Sequence, residues 1–226
     1  MSQRPVLLSL LVLLLPAALF AQNDYKPTYF IGYSNLQAEG LPNKNNPSNI
    51  LSPEFIDRRT TLHGVNAEAT FPIRNFGITG DFSFNRNSQS AEFTSITTQE
   101  TKTDVFYFVA GPSYNFRNQS RIEPFVRAMG GGARTNFKIS STSQFTSGTS
   151  TNSFDTGSTD LAVMIGGGVD LRVNDKVKVR VFQMDYAPIF LGDRALRVLS
   201  QAGALQTLEL EGQRQDNVRF GFGVTF

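Results

Sequence analysis

The stretch NVRFGFGVTF, residues 217–226, alternates without a break. Val218, Phe220, Phe222, Val224 and Phe226 take every second position, with Arg219, Gly221, Gly223 and Thr225 between them. A period of two is the mark of a β-strand with one apolar face and one small or polar face. Chain termini usually fray and tolerate change, so this regularity raises the question of which solvent the apolar face meets.

Seven further segments share the pattern: residues 28–37, 60–71, 77–87, 103–116, 122–137, 160–173 and 176–187. The connections between the eight segments alternate strictly. PIRN, RNQSR and little more than Asn174–Asp175 make short turns, while 38–59, 88–102, 138–159 and 188–216 are long and polar. Short turns at one end and long loops at the other predict an all-β, eight-stranded antiparallel up-and-down barrel of the transmembrane kind. Greek-key crossings of a soluble sandwich would not alternate in this way. The third loop is almost purely Ser, Thr, Gly and Asn, a composition that cannot bury a core. In the last loop, residues 195–205 fit either a short helix or a hairpin that continues the strands.

Parity assigns the faces. Leu161, Val163, Ile165, Gly167, Val169 and Leu171 oppose Ala162, Met164, Gly166, Gly168, Asp170 and Arg172. A membrane barrel turns its apolar face to lipid and its polar face to the lumen. On that rule Glu68, Asp81, Asp170, Arg172, Lys178, Arg180 and Arg219 point inward, joined by Arg127 and Asp185. Unpaired buried charges are costly, so these residues are expected to form a structural salt-bridge plug rather than an ion path. Arg219 is expected to meet a carboxylate near the seam between the last and first strands. In 176–187 the apolar set changes parity between Val181 and Phe182, which calls for a β-bulge. Arg127 and Arg134 have opposite parities, placing one at the rim or beside another bulge.

The net charge of +2 argues against nucleic acid as a partner, and the chain has no Cys for disulfides or thiolate metal sites. MSQRPVLLSLLVLLLPAALFA, residues 1–21, reads as a secretory signal peptide with cleavage between Ala21 and Gln22, leaving a barrel domain over 22–226. No catalytic residues, metal ligands or cofactor are expected. His63, the single histidine, points outward near the loop end of its strand. A lipid-modifying enzyme would need a nucleophile beside it, and no His-x-Ser pairing is present. A polar rim residue is the simpler reading.

FIGYSNL at 30–36, FVAGPSYNFR at 108–117, EPFVRAMGGGA at 123–133, QMDYAPIF at 183–190 and the last ten residues resemble the OmpA-like and OmpX-like outer-membrane barrel superfamily. The resemblance covers the barrel and carries over no cell-wall-binding domain. It implies the bacterial outer membrane as location, its lipid as surroundings, and insertion by the barrel assembly machinery. For that machinery Val218, Phe220, Phe222, Val224 and Phe226 would be the C-terminal signal. It also implies a non-enzymatic role in envelope structure or in adhesion to an extracellular ligand through the four long loops. A narrow channel for small or apolar solutes is the alternative.

Overall fold

The computed structural model describes residues 26–39, 59–94, 97–116, 120–145, 148–192, 194–199, 205–210 and 214–226. The expected leader and its Ala21–Gln22 boundary lie outside them. The chain runs through β1 (Thr28–Ala38), β2 (Thr60–Ile73), β3 (Phe76–Thr94), β4 (Thr97–Asn115), β5 (Ile122–Phe145) and β6 (Gly148–Arg172). It continues through β7 (Lys178–Tyr186), β8 (Ile189–Phe190), β9 (Arg194–Leu199), β10 (Leu205–Leu210), β11 (Arg214–Gln215) and β12 (Val218–Thr225). Each strand from β1 to β6 pairs antiparallel with the next, and β12 lies between β7 and β1. The seam ends in a reciprocal pair of hydrogen bonds, Tyr29 N to Phe226 O at 2.8 Å and Phe226 N to Tyr29 O at 2.9 Å. The result is a closed eight-stranded up-and-down barrel of β1–β7 and β12.

Its faces are inverted relative to a soluble barrel. Ile31, Phe82, Phe108, Ile165, Met184 and Phe222 are exposed on the outside, Ile165 at 55% and Phe222 at 57%. Glu68, Asp81, Arg127, Asp185 and Arg219 are buried inside. Exposing this much large apolar surface in water would be costly at roughly 25 cal/mol per Å², and lipid removes that cost. Rings line the outer surface in register, with Phe82–Phe108 centroids 5.2 Å apart and Phe84–Phe106 4.7 Å apart.

The parity switch in β7 is a bulge. Gln183 and Arg180 face Gly221 and Gly223 on one side, and Phe182 and Arg180 face Val169 and Asp170 on the other. The extra residue lets Val181 and Phe182 both face outward while Arg180 and Gln183 both face inward. In β5 no bulge separates Arg127 from Arg134. Arg134 is exposed on the outer surface, opposite Phe106 of β4, on the loop side of Arg127.

Two of the expected loops are corrected. Much of 88–102 and 138–159 is strand, because β3 pairs with β4 as far as Thr94–Thr97 and β5 with β6 as far as Phe145–Gly148. Ser/Thr-rich sequence cannot build a core, but a ladder needs only backbone hydrogen bonds and an extended conformation, which β-branched Thr favours. In the last loop β8 pairs with β11 and β9 with β10, so the described residues within 195–205 are strand and not helix. At the opposite end the β2–β3 turn puts Arg74 at φ 59°, a left-handed conformation that glycine would hold with less strain.

Glycines on the two faces should respond differently to substitution. A methyl on Gly64 would stand 1.7 Å from the backbone oxygen of Phe84, whereas one on Gly80 would meet nothing within 4 Å. Gly64→Ala is expected to cost on the order of 1–3 kcal/mol by overpacking. Gly80→Ala should leave the thermal midpoint of the lipid-embedded protein unchanged. Melting curves of the two variants make the comparison.

Candidate functional site

The barrel interior gathers ten charged side chains from six strands, and it forms two layers. Inward positions on alternate residues of β2, β3, β5, β6, β7 and β12 supply the charged layer. At its centre Arg219 donates from Nη1 and Nη2 to Asp81 at 2.9 and 2.6 Å. It also donates from Nε and Nη2 to Asp185 at 3.2 and 3.0 Å. Asp185 is its cross-strand neighbour on β7, and Asp81 reaches it from β3.

Arg127 donates from Nε and Nη2 to Asp185 at 3.0 and 2.8 Å, and its Nη1 lies 2.6 Å from Glu68. Arg180 binds Asp170 at 2.9 Å, Glu68 at 2.8 Å and the Gln183 oxygen at 2.8 Å. Its guanidinium is held between the rings of Phe30 and Phe125, 4.1 and 4.3 Å from their centroids. Lys178 reaches Glu123 at 2.6 Å, and Arg172 bonds the same carboxylate.

Every charged residue that parity turned inward therefore has an ion-pair partner in the lumen, in two groups: Arg127, Arg180 and Arg219 with Glu68, Asp81, Asp170 and Asp185, and Arg172 and Lys178 with Glu123. Sequence reasoning missed Glu123, which shares the parity of Arg127 four residues on and was readable from it. It completes the balance, with Arg127, Arg172, Lys178, Arg180 and Arg219 facing Glu68, Asp81, Glu123, Asp170 and Asp185. Asn66 donates to Asp81 at 2.9 Å, and Gln183 joins Asp185, to which it donates at 2.8 Å, to Arg180, from which it accepts. Asymmetric use of the lumen by neutral amides has no sequence signal beyond parity.

Toward the loop end the lumen turns apolar. Leu36, Leu62, Val105, Tyr107, Val109, Met129, Met164 and Ile189 pack into one buried cluster. Ile189 enters it from β8, which pairs with β6 at Leu161 and Ala162. Tyr107 donates to Ala187 O at 2.9 Å and accepts from Asn217 at 2.8 Å, and Asn217 Oδ1 accepts from Glu39 N at 3.0 Å. These contacts hold the start of β12 and the end of β7 across the barrel mouth. The Asp216 carboxyl beside them is held below its usual range by the hydrogen bond from Tyr186 and by Arg214, which outweigh its slight desolvation.

The turn end is nearly full as well. A cavity of about 40 Å³, lined by Thr28, Thr70, Thr79, Ser113 and Thr225 with Lys178 and Arg180, has room for little more than ordered water. Outside, His63 is exposed and bonds Tyr33 Oη, with Asn35 Nδ2 3.4 Å from the same ring nitrogen. Among the described residues no group of His, Cys, Asp or Glu is placed to hold a metal ion.

No family model matches the chain, and no curated protein does. Similar folds occur among solved structures. Neisserial surface protein A shares 12% identity over 88% of this chain and 95% of its own, with a TM-score of 0.45. Ail, the attachment invasion locus protein of Yersinia pestis, shares 16% over 90% of this chain and 100% of its own, at 0.46. The outer membrane protease OmpT of Escherichia coli shares 9% over 91% of this chain and 97% of its own, at 0.45.

Proposed function

We propose that this chain is a non-enzymatic outer-membrane barrel whose lumen is a structural plug and whose working surface is the loop end, in envelope structure or in adhesion. The observation that carries this reading is the doubly filled lumen, with a balanced charge network below and an apolar cluster above. A solute path needs a continuous polar or open channel, and Leu36, Leu62, Tyr107 and Ile189 occupy its course. The exposed apolar outer surface supports a lipid setting. The long, polar β3–β4 and β5–β6 hairpins reach past the belt and supply contact surface at the loop end.

The enzymatic alternative rests on His63 alone, and the bonds to its ring come from Tyr33 and Asn35 rather than from a serine. Conductance in planar bilayers tests the reading. The purified chain is expected to give no steps above the bare membrane in molar salt. Reproducible single-channel openings would replace the plug with the narrow-channel alternative. An assay for altered outer-membrane lipid in cells expressing the chain and its His63→Ala variant should show no difference.

A further inference from the structure

Above the membrane belt β6 has an unguarded edge. Its residues 165–172 pair with β7 and residues 161–162 with β8, while residues 148–159 have β5 on one side and, among the described residues, no strand on the other. Free edges are usually blunted by Lys, Pro, a bulge or brevity. GTSTNSFDTGST, residues 148–159, has none of these and a single charge, Asp155.

A second element lacks neighbours nearby. The β9–β10 hairpin continues the register of the β8–β11 pair, but beyond β8 it has no third strand among the described residues, and a two-stranded ribbon by itself is marginal in water. The two are linked by register. Phe190 lies opposite Leu161 and Ile189 opposite Ala162, and only residues 191–193 separate β8 from β9. The Gly192 amide already bonds Asp160 at 3.4 Å. Continuing the same antiparallel register places Arg194 opposite Gly157, Leu196 opposite Asp155 and Val198 opposite Ser153. It also puts Arg194 diagonal to Asp155 on one face, a favourable cross-strand pair.

We propose that the β9–β10 hairpin docks on the β6 edge in this register, as a strap that extends the barrel wall on the loop side and closes the edge to foreign strands. The alternative occupants weigh less. A barrel strand of a second copy laid along the edge would run on into the place of β7. A foreign extended segment lacks the register and tether that β8 provides.

The chain has no Cys, so any disulfide reports only the engineered pair. In the full chain refolded in lipid bilayers, Leu196→Cys with Asp155→Cys, and Val198→Cys with Ser153→Cys, should lose both free thiols under mild oxidation. Leu196→Cys with Thr151→Cys, four residues out of register, should keep them. Thiols surviving in both in-register pairs, or lost equally in the offset pair, would overturn the proposal.

Amide exchange supplies a measurement that leaves β6 unaltered. In the native chain the amides of residues 149–159 that do not bond β5 should be protected. They should lose that protection when Arg197→Pro and Val198→Pro remove β9 as a strand. Free exchange in the native chain, or protection indifferent to the prolines, would refute docking even if a variant folded poorly.

Discussion

Arg219→Leu is expected to be the most damaging single substitution in the barrel. The side chain is fully buried and bridges Asp81 and Asp185. Removing it leaves two carboxylates in a closed lumen with one strong partner fewer, and a broken buried pair typically costs about 3–5 kcal/mol. Urea unfolding in micelles, followed by the heat-dependent gel shift of the barrel, should show a midpoint well below that of the native chain.

The cost comes from stranded charge, so neutralising a partner should recover part of it. Arg219→Leu with Asp81→Asn is expected to be more stable than Arg219→Leu alone. If the single variant kept native stability, the network would not be a structural plug. Arg127 still reaches Asp81 at 3.4 Å and Asp185 at 2.8 Å, so the loss is partial rather than a complete collapse.

The second large effect is expected on the outer surface. Ile165 is 55% exposed and lies well inside the apolar belt, between Leu161 toward the loops and Val173 toward the turns. Ile165→Arg should cost about 2–4 kcal/mol if that surface faces the hydrocarbon midplane. The same change on an exposed position of a water-soluble barrel falls within about 0.5 kcal/mol. Equilibrium folding into lipid vesicles measures the difference directly. Thr149→Arg, on an exposed position of the same strand above the rim, serves as the control and should fold like the native chain.

Much of this architecture could be read in the sequence because a two-residue period is local. Val218 to Phe226 and Leu161 to Leu171 declare their faces without reference to any other segment, and strict alternation of short and long connections arranges the strands around a ring. The break between Val181 and Phe182 was equally visible, since a bulge shifts parity in the chain itself. Polar stretches were harder. Residues 138–159 have no apolar period, so nothing in them distinguishes a hairpin from a loop, and their strand state comes from the ladder to a neighbour.

The apolar cluster at the loop end was not legible for a related reason. Leu36, Leu62 and Ile189 share the inward parity that elsewhere is polar, and Ile189 lies beyond a break in its strand.

By itself, then, the sequence determined which side chains face in and which face out, and hence that the interior would hold charge and the exterior would be apolar. It could do so because alternation along one strand is a property of neighbouring residues. Only the tertiary structure decided that Arg219 meets Asp81 and Asp185 together, that Arg180 is clasped by Phe30 and Phe125, and that Ile189 completes the plug. Those partners come from strands far apart in the chain, and the register and curvature that bring them together exist only once the last strand has closed on the first.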